Sequence, residues 1–123
     1  MKIKRFEDIE AWKKGKELVT TIYGLTGNGN FAKDYGLRDQ IRRGCVSVMS
    51  NIAEGYARQT DKEFVQFLYI APGSVAEVQS QLYIAQDLNY LSGEQFDEVH
   101  KLSGEVARLV TGFAKYLQGR NDL

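Results

Sequence analysis

The chain has 123 residues, of which 43% are hydrophobic and 26% charged, a size and composition typical of one soluble globular domain. Its 16 basic and 16 acidic side chains give a formal net charge of zero, which excludes the overall basic character of many nucleic-acid-binding domains. The charges are unevenly distributed, because residues 1–59 carry 11 Lys and Arg against 7 Asp and Glu, whereas residues 60–123 carry 5 against 9. The balances of +4 and −4 allow the first half to contact either nucleic acid or another subunit.

No segment predicts a signal peptide, a membrane span or a disulfide. The N-terminus lacks the apolar run of a secretory signal, and no stretch approaches the roughly 20 apolar residues of a spanning helix. Cys45 is the only cysteine, so an internal disulfide is excluded. We expect a bacterial-type cytoplasmic protein that has no membrane partner.

Two helices are predicted in the first half of the chain. Apolar residues recur at three- and four-residue steps over about residues 7–26 and again over about residues 35–58, as one face of an α-helix requires. The first helix should end at residues 27–30, Gly-Asn-Gly-Asn, because Gly and Asn tolerate the left-handed conformation that stops a helix. Residues 27–36 are predicted to form the one substantial loop.

Two further helices are predicted in the second half, each after a capping box. In a capping box, a Ser or Thr side chain accepts from the third helical amide and a Glu or Gln reaches back to the cap. Thr60–Glu63 fits this pattern before a helix over about residues 61–88, and Ser92–Gln95 fits it before a helix over about residues 93–118.

Pro72 lies inside the predicted third helix. Its apolar repeat continues in phase on both sides of the proline, so we expect a kink near Pro72 and not a chain reversal. Short connections after the second and third helices favour antiparallel neighbours. Residues 1–123 are therefore predicted to form a single all-α domain, an antiparallel up-down-up-down four-helix bundle.

A second apolar stripe lies on the predicted third helix, roughly 100–140° from its core face on a helical wheel. Its members are Val65, Tyr69, Pro72, Ala76 and Tyr83. A solitary bundle should be polar on this side, so the stripe is interpreted as a homo-oligomer interface. The alternative is a wide core with ordinary aromatic residues on the surface.

The sequence offers no catalytic site. His100 is the only histidine and borders an apolar helix face, where a structural role is the simpler interpretation. Cys45 falls among core positions, where a thiol is usually inert. One histidine and one cysteine cannot build the usual zinc site, and no Glu-x-x-His motif supports a di-metal site. We expect no enzymatic activity, no metal, no cofactor and no small-molecule substrate.

Arginines on the predicted second helix are the candidate nucleic-acid-binding residues. Arg38, Arg42, Arg43 and Arg58 could contact phosphates, since the guanidinium group binds them in a bidentate manner. They accompany a polar stripe in which a Glu54–Arg58 pair could form one turn apart. The stripe and its neighbours are Ser47, Ser50, Asn51, Glu54 and Gly55. A solvated face or a subunit contact is the alternative interpretation of the same pattern.

Several motifs in the chain resemble those of the bacterial 23S rRNA intervening-sequence proteins. They cover about residues 5–118 in the same order. The motifs are residues 40–43 (QIRR), 50–55 (SNIAEG) with Arg58, Glu63-Phe64, 67–71 (FLYIA), Gly73-Ser74 and Ala76-Glu77, together with residues 6–9 (FEDI), Trp12 and 87–92 (DLNYLS).

The resemblance implies a four-helix bundle, often assembled as a ring-like homopentamer. Some members are encoded inside intervening sequences of bacterial 23S rRNA genes. A distant branch, the accessory proteins of diversity-generating retroelements, binds nucleic acid. The family has no established catalytic residues, and its motif positions here are Arg42, Ser50, Asn51, Glu54 and Gly55.

Two departures from the family limit this transfer. Pro72 occupies a position where members usually carry a basic or polar residue. The neutral net charge differs from the strongly basic retroelement accessory proteins. The leading hypothesis is a non-catalytic homo-oligomer that binds RNA or DNA through arginines, and the alternative is a protein–protein scaffold with no nucleic-acid role.

Overall fold

The computed structural model describes residues 3–121, with side chains through residue 120, and this part of the chain contains helices and no strand. The predicted all-α class is confirmed for these residues. A 3-10 turn at Phe6–Asp8 precedes five α-helices, of which four are long. These are α1 (Glu10–Thr26), α2 (Gly29–Lys33), α3 (Tyr35–Tyr56), α4 (Asp61–Asp87) and α5 (Gly93–Asn121).

The start of the chain differs from the prediction. The first helix begins at Glu10 and not near residue 7, because Phe6–Asp8 forms a separate 3-10 turn and Ile9 adopts an extended conformation. Ile9 is only 2% exposed, and the Phe6 and Trp12 rings pack edge to face with centroids 5.3 Å apart. Burial of these side chains holds the turn against the bundle.

The prediction that residues 27–36 form a loop is wrong for its central part, which is α2. The physical reason is a tertiary contact, because Phe31 is 1% exposed and packs against the Tyr90 ring at 5.2 Å. Asp34 then starts α3, with its Oδ1 accepting from the Leu37 amide at 3.2 Å. Burial of Phe31 thus stabilises a short helix in the connection, and α3 begins directly after it.

The two predicted capping boxes mark the starts of α4 at Asp61 and of α5 at Gly93, and α5 continues to Asn121, beyond the predicted end near residue 118. Thr60 Oγ1 accepts from the Glu63 amide at 3.2 Å, although no return bond from the Glu63 side chain forms in the described part of the chain. At α5 the box is reciprocal, because Ser92 Oγ accepts from the Gln95 amide and Gln95 Oε1 accepts from the Ser92 amide. Asn89, with φ of 60°, supplies the left-handed residue before it.

The four long helices enclose one hydrophobic core. Helix α1 packs against α3 and α5, and α4 also packs against α3 and α5, with the α3–α4 contact the most extensive. The core residues that are at most 1% exposed include members of all four helices. They include Leu18, Ile22, Ile41, Ile52, Leu68, Leu82, Val99 and Leu117.

Two glycines allow α3 and α4 to approach closely. A Cβ atom at Gly55 would lie 2.7 Å from Phe64 Cδ1 and 2.8 Å from Phe67 Cβ, and one at Gly44 would lie 3.0 Å from Val78 Cγ2. Distances this short do not accommodate another carbon atom unless the neighbouring side chains or the helices move. The family-motif residue Gly55 therefore has a packing role.

Helix α4 is continuous through Pro72, which confirms that the proline causes no chain reversal. Its apolar residues stay in phase from Phe64 to Ala85. None of the helices within residues 3–121 combines the length and hydrophobicity that a membrane-spanning helix needs.

Candidate nucleic-acid interface

An open depression lies along the outer side of α3, next to α1. We call it the α1–α3 groove, and its volume is about 590 Å³. It is lined by Tyr23, Asp39, Arg42, Arg43, Val46, Ser47 and Ser50. Two cations, three hydroxyl groups and one aromatic ring thus meet on one surface, with a single carboxylate among them.

Arg42 is held in place by α1. Its Nε donates to Thr26 Oγ1 at 2.8 Å, and its guanidinium carbon lies 4.3 Å from the centroid of the Tyr23 ring. Thr26 is itself buried, and its hydroxyl donates to the Ile22 carbonyl oxygen at 2.7 Å. The residues described provide no hydrogen bond for the two terminal nitrogens of Arg42, so its donors remain available to a ligand.

Arg43 is the least constrained arginine of the groove. It is exposed, and it forms neither an ion pair nor a hydrogen bond with any residue between 3 and 120. Arg42 and Arg43 are therefore adjacent cations, one fixed and one free. Both could contact the same phosphate or two successive phosphates.

The structure does not bring the other two predicted arginines into this groove. Arg38 contacts residues close to it in the sequence. Its Nε donates to Asp39 Oδ1 at 2.9 Å, and its Nη1 donates to the Ala32 carbonyl oxygen at 3.1 Å. Its guanidinium group lies over the Tyr35 ring. Arg58 lies beyond the end of α3, about 24 Å along the helix direction from Arg42 at 1.5 Å per residue.

The expected Glu54–Arg58 pair does not form. Helix α3 ends at Tyr56, so the one-turn spacing that the pair requires is lost before Arg58 is reached. Its guanidinium instead lies 4.6 Å from the centroid of the Phe67 ring on α4. Glu54 remains exposed and bears a negative charge near the end of the polar stripe.

The predicted polar stripe divides between two environments. Ser50 is exposed and lines the α1–α3 groove, whereas Ser47 reaches towards α4, where its Oγ lies 3.2 Å from Ser74 Oγ. Asn51 donates to the carbonyl oxygen of Ser47 at 2.8 Å and to its hydroxyl at 3.2 Å. Gly55 is buried against Phe64 where α3 and α4 pack together.

A second polar depression lies on the other side of Arg43, between α3 and α4. We call it the α3–α4 groove, with a volume of about 250 Å³. It is lined by Gln40, Arg43, Gly44, Ser47, Ser74, Glu77 and Gln81. Sequence reasoning missed it, although a glutamine at position 81, in phase with core residues Val78 and Ala85, was a usable signal.

The residues predicted to form the subunit interface differ in their exposure. Val65 is 7% exposed and belongs to the core, although it also lines an open depression beside Tyr69 and Gln118. Tyr69 and Ala76 are exposed, and the Tyr69 hydroxyl donates to Gln118 Oε1 at 2.8 Å. Tyr83 is 52% exposed and packs against the Phe96 ring at 5.0 Å. Ile70 and Ile84 are also exposed, about 100° round the helix from Tyr69 and Tyr83, as is Leu88 just after the end of α4, and Pro72 is half-buried.

The two residues considered for catalysis have packing partners. His100 lies 5.3 Å from the Phe96 ring centroid and 5.5 Å from that of Tyr83. Cys45 is fully buried, and this burial raises the pKa of its thiol to about 11, so the nucleophilic thiolate is disfavoured. No group of three or more His, Cys, Asp or Glu residues suited to a metal occurs within the described chain.

Comparison with known proteins agrees with the motif resemblance. A family model described as 23S rRNA-intervening sequence protein matches residues 7–112. A similar solved structure is that of a protein of unknown function from the S23 ribosomal protein family of Bacteroides thetaiotaomicron. It is 25% identical with a TM-score of 0.76, over 85% of this chain and 98% of that one. No curated protein matches the chain. The predicted family resemblance is therefore confirmed.

Proposed function

The chain belongs to the 23S rRNA-intervening sequence protein family, and from this premise we propose that it is a non-catalytic, cytoplasmic, homo-oligomeric protein that binds RNA or DNA phosphates. The phosphate contacts are assigned to Arg42 and Arg43 in the α1–α3 groove. The observation that carries this assignment is the adjacent pair of one fixed and one free arginine beside Tyr23.

The proposed architecture is an up-down-up-down bundle in which α4 is kinked near Pro72. Two contacts support opposite directions for α4 and α5: Asp61 at the start of α4 pairs with Arg120 at the end of α5, and Gln79, farther along α4, donates to Ser103 in the first half of α5. The kink follows from proline itself, which has no amide hydrogen and crowds the preceding turn.

The charge distribution supports phosphate binding in the first half of the chain. Residues 1–59 have an excess of four positive charges, and α3 contributes Arg42 and Arg43 at one place. Binding to phosphates by such a surface releases condensed counterions, so the affinity falls steeply as salt rises. Phosphate contacts supply orientation and affinity but no sequence preference.

The outer side of α4 supports assembly. Ile70, Tyr83 and Ile84 are 53%, 52% and 47% exposed, an apolar surface that a solitary bundle would present to water. The opposite charge balances of the two halves also suit a head-to-tail contact between copies, and such contacts generate rings when the rotation closes. A closed ring, a pentamer in the family pattern, is the proposed form.

The absence of catalysis remains part of the proposal. Burial disfavours the thiolate of Cys45, and His100 is packed against the rings of Phe96 and Tyr83. These two side chains do not form the nucleophile–base pair that covalent catalysis requires.

Salt-dependent binding by an arginine-deficient variant tests the phosphate site. We expect the Arg42→Ala/Arg43→Ala variant to lose affinity for a structured RNA and a DNA duplex, with a salt dependence reduced by about two phosphate contacts. Binding is measured by fluorescence anisotropy across a salt series, and mass by light scattering on a sizing column. The variant should assemble as the parent does.

The matched control also removes two positive charges, but from α5. Lys101→Ala/Lys115→Ala deletes two exposed lysines of α5 and should leave the salt dependence nearly unchanged. If both double variants weaken binding equally, the protein binds through diffuse charge and the groove assignment fails. If the parent binds neither nucleic acid at low salt, the phosphate-binding proposal fails.

The second candidate function is a protein–protein scaffold, favoured by the exposed apolar side of α4. In that case Arg38 and Arg42 serve only the intramolecular contacts they already make with Ala32 and Thr26. An oligomer that is indifferent to RNA and DNA at every salt concentration would establish this alternative.

A further inference from the structure

We propose that the outer side of α4 of one copy docks head to tail into an apolar depression between α1 and α5 of a second copy, with Glu77 of the first paired with Arg108 of the second. We call this depression the α1–α5 groove. The inference rests on the proposed function, because it assigns two surfaces and one ion pair to the homo-oligomer that the function includes.

The α1–α5 groove exposes apolar side chains to solvent. Its volume is about 370 Å³, more than ten times the roughly 30 Å³ of one water molecule. Of its nine lining residues, only Glu10 and Arg108 are charged. Leu109 and Tyr116 remain 36% and 44% exposed there. Water has few polar partners in such a depression, so an apolar side chain that displaces it gains binding free energy.

One positive charge that lines the groove has no partner. Glu10 already pairs with Lys13 at 3.2 Å. Arg108 is exposed, and it forms neither an ion pair nor a hydrogen bond with any residue between 3 and 120. The groove therefore favours an occupant that combines an apolar side chain with a nearby anion.

The outer side of α4 carries this combination. Ile70, Glu77 and Ile84 follow one another at seven-residue intervals, and they form one row because a straight helix drifts by only about 20° over seven residues. Ile70 and Ile84 are 53% and 47% exposed. Glu77 is exposed and makes no ion pair within the described part of the chain. We call these three residues the α4 row.

The spacing of the α4 row suits the groove. At 1.5 Å per residue, Glu77 lies about 10.5 Å along α4 from each isoleucine. Arg108 lies about 12 Å along α5 from Tyr116 at the same rise. An isoleucine that enters the groove beside Tyr116 therefore brings Glu77 within reach of the long side chain of Arg108.

The arrangement of the helices requires the occupant to come from another copy. Helices α1 and α4 both pack against α3 and α5, so they lie across the bundle from each other, and the outward-facing α4 row cannot reach the groove of its own copy. A contact between two different surfaces of identical copies is head to tail, and it generates a ring when the rotation closes.

The exposed aliphatic residue of α3 is a poorer occupant. Val46 lines the α1–α3 groove together with Arg42 and Arg43. Docking of that surface would place these cations near Arg108, and like charges across an interface oppose association. Charge complementarity thus selects α4 over α3.

The test measures particle mass by light scattering over a range of protein concentrations. We expect Arg108→Glu and Glu77→Arg each to raise the concentration for half assembly by about tenfold or more, because each places like charges opposite one another. Glu77→Arg/Arg108→Glu reverses the pair and should return that concentration to within about threefold of the parent. Both residues are exposed, so circular dichroism should show the helical content of the parent.

Glu54→Arg/Arg108→Glu is the matched control. It has the same net charge as the compensated double variant, but its new arginine replaces an exposed glutamate on α3. It should assemble as weakly as Arg108→Glu alone. Equal recovery in the two double variants would show an effect of net charge, and no recovery in Glu77→Arg/Arg108→Glu would show that the two residues do not meet. Either result would overturn the inference.

Mixing the two single variants tests the same contact without a double substitution. Arg108→Glu copies have a carboxylate at both positions and Glu77→Arg copies have a guanidinium at both, so each variant repels itself. Every contact between unlike copies pairs opposite charges. The mixture should therefore form larger particles than either variant alone, and a mixture without this gain would contradict the proposed docking.

Two further outcomes separate the docking surface from the function on which it rests. A parent that is monomeric at every concentration defeats the proposed assembly itself. A parent that assembles, but whose mass is unaffected by either single reversal, keeps the proposed assembly and overturns this interface. If native mass spectrometry of such a parent also detects a bound apolar small molecule, the groove is a ligand site.

Discussion

Helices α3 and α4 form the most extensive helix pair of the molecule, yet their outward sides differ in chemistry. The outer side of α3 carries arginines supported by aromatic rings, as Arg42 is by Tyr23. The outer side of α4 carries half-exposed apolar residues, among them Ile70 and Ile84. The inner sides of both helices are mainly apolar and contribute to the same core, with Gln81 as a buried polar exception on α4.

The difference shows that one packing pattern can support two kinds of surface. The inner sides are fixed by core packing, which tolerates little change in volume. The outer sides do not have to fit a packed core. Their residue types can therefore indicate what each surface contacts. A cationic surface beside an apolar one favours the assignment of ligand binding to α3 and of subunit contacts to α4.

The largest expected effect comes from charging the outer side of α4. We expect Ile70→Glu/Ile84→Glu to weaken assembly by more than about a hundredfold, because burying an unpaired carboxylate in an apolar contact costs several kcal/mol. Light scattering should show a smaller particle, while circular dichroism should remain helical. An unchanged mass would exclude the outer side of α4 as the subunit interface. The assignment of different roles to α3 and α4 would then fail for α4.

A smaller effect is expected where the two helices meet. Gly55→Ala places a carbon atom 2.7 Å from Phe64 Cδ1, so we expect the free energy of unfolding to fall by about 1–3 kcal/mol. The control is Gly112→Ala on α5, where a Cβ meets nothing within 4 Å and the better helix propensity of alanine should stabilise by up to about 1 kcal/mol. Urea unfolding measures both. Equal responses would mean that the α3–α4 contact is looser than described.

The smallest effect is expected at the start of α4. Arg120 donates two hydrogen bonds to Asp61, at 2.6 Å and 3.0 Å, and thereby holds the pKa of that carboxyl below its usual range. The stabilisation is therefore present above the unfolded pKa of about 3.9 and is lost as pH falls through the lower folded value.

Asp61→Asn measures this contribution directly. We expect it to lower the free energy of unfolding by no more than about 1 kcal/mol at neutral pH, since the pair is partly exposed and screened. The difference from the parent should vanish at strongly acidic pH. A difference that persists there would assign the effect to something other than the ionised pair.

Much of the fold was predictable because local signals sufficed. Periodicity and capping residues such as Thr60 and Ser92 placed the long helices to within a few residues. Helix α2 was missed because its five residues have no usable period, and Phe31 organises them through a contact with Tyr90, which is distant in sequence.

The sequence predicted which kinds of residue form the candidate site, but not which side chains contact each other. Val65 lies well away from the core stripe on a helical wheel, yet α4 packs against two helices at once, so its buried arc is wider than the wheel implies. The partners of Arg42 come from α1, and those of Gln81 come from α3. Such pairings depend on how helices are placed side by side, which no single-helix pattern specifies.

The contacts of Arg42 with Thr26 and Tyr23 affect the free energy of the proposed phosphate binding. Its rotamer is already selected on folding by Thr26 and Tyr23, so the entropy of ordering that side chain, on the order of 0.5–1.5 kcal/mol, is not lost again when an anion arrives. Arg43 must still be ordered at that moment. We therefore expect the two neighbouring arginines to contribute unequally to the proposed phosphate binding, with Arg42 the preorganised donor and Arg43 the adaptable one.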